Sequence, residues 1–378
     1  MPKSAVDCVQ PAIQHTRDQL FRPFRFGQWA RLALVGILAA ELSSGGCSTG
    51  NFHFPLSTHP HKGNRFIETS FSQINSSHFD PARIAQFAGL ILAIVLLAII
   101  LFFIFLYISS VFRFILFDSV LRKHCSISEG WHRWHRAGRK YFLWKIVFLI
   151  AQFLFLGVLI GVPLAVAAAL GWFHDLQQHI ARTILGALLL FGLFLVFALL
   201  AGAVQILAKD FLVPVMALEE VDFADGWSRL LALIRPEPGR FAVYLLLKFV
   251  LAIAAAILFG LLAIIPIVVL VAPAVIAVIA AHAAGMAWDV ATVSLTVILG
   301  SVILVVLIYV IALVNVPATV FFPAFSIYFL AARYPPLDAL LNPPPPAPEL
   351  PQVQETRAPE PLQPETMPGP PLDPEPIG

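Results

Sequence analysis

Two stretches of this sequence run for a full membrane thickness without one charged side chain. Gly89 to Tyr107 is a run of nineteen uncharged residues, and Ile298 to Val314 is a second run of seventeen. A helix of about 18 or more apolar residues is long enough to cross roughly 30 Å of hydrocarbon. Membrane-spanning β-strands would instead show alternating polarity over segments of about ten residues. The continuous runs therefore predict membrane-spanning helices.

The scarcity of charge along the whole chain points to the same class of protein. Of its 378 residues, 59% are hydrophobic and only 12% are charged. Soluble domains carry about 25% charged residues, because a surface that faces water needs charge to stay dispersed. This composition excludes an ordinary soluble protein and predicts an all-α integral membrane protein.

Six segments meet the length and polarity expected of a span. We predict spans at roughly 26–43, 86–112, 142–171, 183–207, 242–271 and 290–314. They would form three repeated helical hairpins with short cytoplasmic interfacial helices, in a membrane domain over residues 26–333. One interfacial helix is predicted over 126–140, and another is predicted to begin at Asp222. We expect a cytoplasmic amphipathic segment at 1–25 and a disordered, proline-rich, acidic cytoplasmic tail at 334–378. An alternative with seven spans stays open, because 241–283 is long enough to cross twice.

The distribution of basic residues predicts how these spans are oriented. The connections at 1–25, 113–141, 208–241 and 315–378 contain 17 Lys and Arg residues, and the alternating connections contain 4. Loops rich in Lys and Arg stay on the cytoplasmic side of the membrane. We therefore expect both termini to be cytoplasmic.

An internal repeat supports the hairpin arrangement. Tyr141, Lys145, Gly157 and Pro163 recur at a constant shift of 103 residues, and the second set is Tyr244, Lys248, Gly260 and Pro266. Proline inside a helix removes one backbone donor and favours a kink. We therefore predict helix kinks at Pro163 and Pro266.

No pattern of residues predicts catalysis. The sequence contains no HExxH, GxSxG, Walker or GxGxxG motif, so we expect no catalytic residues, no cofactor, no metal and no enzymatic activity. Lys145 and Lys248 lie near span ends, and long side chains there can reach the lipid headgroups. We expect both lysines to act as interface anchors.

The inner connections carry a pattern that predicts contact with lipid headgroups. Trp is favoured at membrane interfaces, and each basic side chain near an anionic surface contributes about 1 kcal/mol of attraction. The predicted headgroup contacts are Trp131, Arg133, Trp134, Arg136, Arg139, Lys140, Trp227 and Arg229. Generic anchoring of a basic, aromatic loop is the alternative to specific lipid recognition.

Two motifs resemble a known family. Arg22-Pro23-Phe24-Arg25 precedes the first span, and Phe211-Leu212-Val213-Pro214 is followed by Asp225-Gly226-Trp227-Ser228-Arg229. The chain resembles uncharacterised bacterial multi-pass membrane proteins, similar to the membrane domain associated with glycerophosphodiester phosphodiesterases. The resemblance implies a helical domain in a bacterial inner membrane, and the hydrolase domain itself is not implied.

Two functional classes remain open on this evidence. The first is a non-enzymatic scaffold or lipid-interacting accessory protein, and the second is a transporter of an apolar or lipid-like substrate. The expected partners are membrane lipids and a protein that binds the proline-rich tail. No nucleic-acid partner is expected.

Overall fold

A computed structural model describes residues 4–39, 81–169, 180–285 and 289–342, and the regular structure in these ranges is helical. In chain order the elements are a 3-10 turn at Val6–Cys8, α1 Val9–Phe21, α2 Phe26–Leu38, α3 Pro81–Leu121, α4 Ile127–Ala169, α5 Ile180–Leu207, a π-helical turn at Ala208–Leu212, α6 Val213–Glu219, α7 Phe223–Ile234, α8 Pro238–Ala283, α9 Val290–Ala331 and α10 Pro335–Leu341. The all-helical prediction is confirmed over these residues.

Four of the helices are about twice as long as a membrane is thick. Helices α3, α4, α8 and α9 contain 41, 43, 46 and 42 residues. At 1.5 Å per residue they are roughly 60–70 Å long, whereas the hydrocarbon core is about 30 Å thick. Only about half of each helix can lie in lipid, so each must have a second half built for another environment.

Burial divides these helices into the two expected halves. Apolar side chains near one end are widely exposed, as at Leu90 (57%), Phe153 (66%) and Leu189 (69%). Near the other end, side chains such as Phe114 and Phe329 are completely buried in one core cluster. An exposed apolar surface of this extent suits lipid and not water. The chain is therefore a multi-pass membrane protein with a packed core at one end of its spans.

Within the described ranges, five helices are long and apolar enough to cross a membrane: α3, α4, α8, α9 and the helix that contains α5. The first predicted span, 26–43, is helical over Phe26–Leu38, and its last residues lie outside the described ranges. Residues 241–283 belong to one continuous helix, α8, which contains Pro266 and Pro273. A single continuous helix favours one crossing over the two that a seven-span protein would need.

The two ends of the described chain meet in the core. Ala5 and Cys8 from the N-terminal turn and Leu337 from α10 are all buried in the same cluster. The His15 ring in α1 contacts the Tyr328 hydroxyl in α9, with 3.2 Å between Nδ1 and the oxygen. Both described ends therefore lie on the same side of the spans.

The two predicted interfacial helices differ in structure, because only the second is a helix separate from the span that follows it. The segment predicted over 126–140 is the first part of the continuous helix α4, because no proline interrupts the chain between Ile127 and Pro163. In the second unit, α7 ends before Pro236, and Pro238 starts α8. Proline lacks the N–H that would continue the first helix but is well suited to the first turn of the next.

The start of the predicted tail also needs correction. Residues 335–341, placed in the disordered tail, form α10, and its Leu337 side chain is fully buried. Pro335 fits the first turn of this helix, and the apolar Leu337 gains by leaving water for the core. Residues 343–378 of the predicted tail lie outside the described ranges.

One glycine sets the distance between α3 and α4. A Cβ atom added at Gly138 would lie 2.6 Å from Cγ2 and 2.9 Å from Cα of Val111. Because part of this obstruction is backbone, it cannot be relieved by a side-chain rotation alone. The close approach holds together the two helices that carry the site described next.

Candidate functional site

A buried carboxylate organises the polar part of the core. The Asp210 side chain has no exposed surface, and the ammonium group of Lys248 donates a hydrogen bond to its Oδ2. The Tyr244 hydroxyl donates to the same oxygen over 2.9 Å. The Arg113 Nη2 atom lies 3.6 Å from Oδ1. Burial of an ionised carboxylate is expensive unless charged partners and hydrogen bonds compensate for it, and here both are present.

A π-helical turn holds this carboxylate at the end of α5. The turn, Ala208–Leu212, contains Asp210 together with Lys209 and Phe211. Such turns insert extra backbone into a helix and often occur at functional sites. The Asp210 side chain is in the core, whereas the neighbouring Lys209 side chain lines an open cavity. One short turn therefore contributes Asp210 to the ion cluster, which consists of Asp210, Lys248, Tyr244 and Arg113, and Lys209 to the lining of the cavity.

The cavity is a pocket of about 190 Å³ with a strongly basic lining. We call it the basic pocket. Its cationic residues are Arg113 from α3, Lys145 from α4 and Lys209 from the π-helical turn. The remaining lining residues are Ala39, Ser109, Tyr141, Trp144, Phe148, Leu149, Gln152 and Gln205. The polar members supply mainly hydrogen-bond donors, and the aromatic and aliphatic members form an apolar wall.

Lys145 is held at the pocket wall by two neighbours. Its ammonium group donates a hydrogen bond to Ser109 Oγ over 3.0 Å and lies 5.2 Å from the ring centroid of Tyr141. The side chain remains half-buried. A cation near an aromatic face gains electrostatic attraction from the ring. These contacts place the charge of Lys145 in the pocket while leaving it partly accessible.

The pocket lies where the packed core meets the exposed apolar halves. Arg113 and Tyr141 belong to the buried ends of α3 and α4. Gln152 lies further along α4 in its exposed half, beside Phe153, which is 66% exposed, and Gln205 is half-buried near the end of α5. The boundary between hydrocarbon and polar surroundings is where lipid headgroups are found. The pocket therefore lies at the boundary between the packed core and the exposed apolar halves of the helices.

Its charge suits an anion. Among the described residues that form the ion cluster and the pocket, four are basic, Arg113, Lys145, Lys209 and Lys248, and one is a carboxylate, Asp210. Positive charges in a cavity with low-dielectric walls concentrate the field and attract anions. In the described ranges, no group of three or more His, Cys, Asp and Glu residues is placed to hold a metal ion. The arrangement can bind an anionic group.

A family model matches residues 3–340, which is most of the chain and includes the pocket. The chain belongs to DUF7544. This is a family of unknown function. No curated protein and no solved structure matches the chain significantly. The basic pocket is consequently the main guide to what this member of DUF7544 does.

The two lysines singled out by the repeat both lie in this region, but not as simple anchors. Lys248 is buried against Asp210, so the expectation that it reaches the headgroups is wrong. Lys145 turns towards Ser109 on the preceding span. Each lysine contacts a polar residue of an earlier element, Ser109 in α3 and Asp210 in the π-helical turn. Lys248 turns towards Asp210 and not towards the headgroups because a buried carboxylate nearby attracts its ammonium group more strongly than a distant headgroup does.

The predicted headgroup-contacting tryptophans pack against the core. The Trp134 ring stacks on Phe114 with 5.8 Å between centroids, and Trp131 lies edge-on to Tyr107 at 6.2 Å. Trp227 lies 6.1 Å from Trp144, which lines the basic pocket. All three tryptophans are half-buried. Their contacts connect the interfacial helices to the pocket region of the core.

The predicted basic contacts divide into paired and exposed groups. Arg133 bridges to Asp118 and Glu129, Lys140 to Asp222, and Arg229 to Glu219. Arg136 and Arg139 are exposed. Contact of these side chains with lipid stays a prediction.

Pro163 and Pro266 lie inside α4 and α8 as expected, and kinks at these positions also stay a prediction.

Sequence reasoning missed Arg113, Lys209 and Asp210. These residues were assigned to inner connections, although they lie on helices that extend beyond the predicted spans. The available signal was the pair Lys209-Asp210 directly after a long apolar run. Adjacent opposite charges at a span end are compatible with solvation as well as with a buried pair, so the pattern alone does not separate the two.

Proposed function

We propose that this DUF7544 protein binds anionic phospholipid in the basic pocket and acts as a non-enzymatic accessory protein of the membrane. The observation that carries the proposal is the position of Lys145, Lys209 and Arg113 around one cavity, at the boundary between the packed core and the exposed apolar halves of the helices. Hydrogen bonds from Lys and Arg to phosphate are among the stronger ones in proteins. The apolar wall of Trp144 and Phe148 supplies a surface for the first part of an acyl chain.

The proposed location is the inner membrane of a bacterium, with the packed core and both termini in the cytoplasm. The excess of Lys and Arg in the connections on the core side supports this orientation. Six crossings would bring both termini to that side. In this arrangement α2 is the first part of a span that continues past residue 39, and the three helix pairs form the repeated hairpins.

A non-enzymatic role fits the chemistry of the lining. The described residues that line the pocket are cationic, amide, hydroxyl and apolar, and none of these is a carboxylate or a histidine. General acid–base catalysis most often uses His, Asp or Glu within hydrogen-bond reach of the substrate. A lining of donors around an anion is suited to holding a ligand and not to transferring its protons.

Transport of a lipid-like substrate is the second candidate. It is favoured by the loose packing of the membrane halves, in which at most 6% of the most apolar window of each span is buried. A lipid could enter between such helices. The basic pocket, however, lies at the core end of the spans, and Gln152 is eleven residues, roughly 16 Å along the helix, from Pro163. That position favours binding at one membrane face over passage through the bundle.

Lipid titration of the whole protein tests the proposed function. The delipidated full chain is titrated with dioleoyl phosphatidylglycerol or dioleoyl phosphatidylcholine, and bound lipid is counted by native mass spectrometry. We expect the anionic lipid to bind more tightly, and we expect Lys145→Gln to weaken it about tenfold, since a hydrogen bond to a charged group is lost. Arg17→Gln removes an exposed charge elsewhere and is the matched control. Equal binding of both lipids, or no effect of Lys145→Gln, would contradict the proposal.

A further inference from the structure

We propose that the proline-rich, acidic segment 343–378 docks on the turn between α1 and α2 of the same chain. We call this segment the tail. The inference does not depend on lipid binding in the basic pocket. It is carried by the exposed aromatic side chains of the turn, by the distance of the turn from the lipid-facing surface, and by the opposite charges of the turn and the tail.

The turn between α1 and α2 exposes aromatic side chains in a fixed arrangement. Phe21, Phe24 and Phe26 are 52%, 59% and 64% exposed. The Trp29 ring lies 5.7 Å from the rings of both Phe21 and Phe24, measured between centroids. Its Nε1 atom donates a hydrogen bond to the Leu20 carbonyl oxygen over 3.1 Å. We call Phe21, Phe24, Phe26 and Trp29 the aromatic turn. Exposed apolar clusters of this kind mark interaction sites.

The aromatic turn is far from the apolar surface that suits lipid. Ala39 after α2 and Ser109 in α3 line the basic pocket, at the boundary between the packed core and the exposed apolar halves. Phe26 precedes Ala39 by thirteen residues, which is about 20 Å along a helix. The Gln28 side chain donates to the Lys123 carbonyl oxygen over 3.0 Å, and Lys123 follows Ser109 by fourteen residues. A headgroup layer is only about 5–8 Å thick, so the occupant of the aromatic turn has to approach from the aqueous side.

The composition of the tail suits an aromatic surface. Its 36 residues include fourteen prolines. Proline-rich segments bind to grooves lined by aromatic side chains, because their extended conformation loses little entropy on binding. Acidic residues stand directly between prolines at Pro359-Glu360-Pro361 and at Pro374-Glu375-Pro376. The tail therefore offers apolar rings and carboxylates side by side.

The charges of the tail and the turn are opposite. The tail contains six Asp or Glu residues and one Arg. Arg22 and Arg25 stand between the phenylalanines of the aromatic turn, and both are exposed. No ion pair between described residues involves either arginine. Arginine binds carboxylates through charge-assisted hydrogen bonds, so the tail supplies the groups that this surface can hold.

The tail is long enough to reach the aromatic turn from its own starting point. It follows α10, whose Leu337 side chain is buried in the same core cluster as Leu20 at the end of α1. In the extended polyproline II form, 36 residues would span about 110 Å. This reach exceeds the length of the longest helices, roughly 70 Å. Docking within one chain therefore needs no second copy.

The test measures contact between the tail and two exposed positions of the full chain in nanodiscs of dioleoyl phosphatidylglycerol. Arg25→Lys and Arg235→Lys each replace an exposed arginine by a side chain whose amine a carbodiimide can join to a tail carboxylate, forming an amide with loss of water. Linked peptides are identified by mass spectrometry. We expect about tenfold more links at position 25, the ratio that about 1.4 kcal/mol of docking free energy gives.

Position 235 is a demanding control. Arg235 lies two residues before Glu237, which pairs with Arg333 over 3.2 Å shortly before α10. The tail leaves the core next to α10, so a tail that is tethered without docking would meet position 235 at least as often as position 25. An excess of links at position 25 therefore reports docking.

Two further changes show what holds the tail. In the Arg25→Lys background, Phe24→Ala should lower the yield towards that at position 235, because it removes an exposed aromatic contact. Leu231→Ala shortens an exposed apolar side chain on α7 and should leave the yield unchanged. High salt should also lower the ratio between positions 25 and 235, since exposed charges are screened.

Three results would overturn the proposal. Equal yields at positions 25 and 235, or yields that ignore Phe24→Ala, would mean that the tail does not dock on the aromatic turn. Links that join two chains would assign this surface to the tail of a second copy. Links that form in detergent micelles but not in nanodiscs would mean that lipid covers the aromatic turn.

Discussion

Removal of the buried charge at Asp210 should destabilise the protein severely. The substitution Asp210→Asn preserves shape but leaves Lys248 and Arg113 without their carboxylate in a core where the Asp210 side chain is fully buried. At an effective dielectric constant of about 20, a charge pair at the 3.6 Å Arg113–Asp210 distance is worth roughly 4–5 kcal/mol. Breaking a buried pair by removing one partner costs about 3–5 kcal/mol. We expect the free energy of unfolding to fall by about this amount.

The assay is reversible unfolding of the full chain in mixed micelles at increasing mole fraction of denaturing detergent. Asp118→Asn is the matched control, because Asp118 pairs with Arg122 at 2.8 Å and with Arg133 at 3.5 Å, and these arginine side chains are 55% and 36% exposed. Exposed pairs contribute about 0–1 kcal/mol. The double variant Asp210→Asn with Lys248→Met removes a cation as well, and should recover part of the lost stability. Equal losses for the two Asn variants would refute the argument that Asp210 organises the core.

Three further predictions concern packing, pH and topology. Replacing Gly138 by Ala should destabilise the protein by about 1–3 kcal/mol, since the new Cβ would meet the backbone of Val111, whereas Gly157→Ala, with open space around it, should not. Burial lowers the pKa of His15 below its usual value. The stability that its neutral ring contributes is therefore fully present above about pH 6.5 and is lost as pH falls through the lowered pKa. In the same unfolding assay, the free energy of unfolding should decrease less between pH 7.5 and pH 5.5 for His15→Gln than for the unchanged protein. A reporter inserted near Asn64 should be on the opposite side of the membrane from a reporter at the C-terminus.

Each of these has an outcome that contradicts it. Equal stability of the two glycine variants would mean that α3 and α4 can separate without loss. An unchanged pH profile for the His15 variant would assign the acid sensitivity to other groups. Reporters on the same side of the membrane would reject the arrangement in which an even number of spans places both termini in the cytoplasm.

The spans could be predicted from sequence because one physical rule determines them. In lipid every backbone polar group needs an internal partner, so a long apolar run has to be a helix. The positions of α3 and α9 follow directly from the runs at 89–107 and 298–314. How far each helix continues outside the membrane could not be predicted, because polar helical residues such as those of 127–141 are equally compatible with a separate interfacial helix.

The basic pocket could be predicted only in part. The repeat singled out Lys145 and Lys248, and the structure places both in the polar region of the core. Their partners are Ser109 in α3 and Asp210 in the π-helical turn. Contacts between residues 36 and 38 positions apart depend on how two spans are packed, and no local pattern in a single sequence encodes that packing.

The meeting of the two chain ends in the core also sets the order of assembly. His15 in α1 contacts Tyr328 in α9, and 313 residues separate them in the chain. At a synthesis rate of about 5–20 residues per second, the N-terminal helix emerges roughly 15–60 seconds before its partner. During that interval the spans can enter the membrane one hairpin at a time, while α1 stays without its final neighbour. The core can close only after the last span is inserted, so a ribosome stalled before α9 would leave a membrane-inserted chain with its core still open.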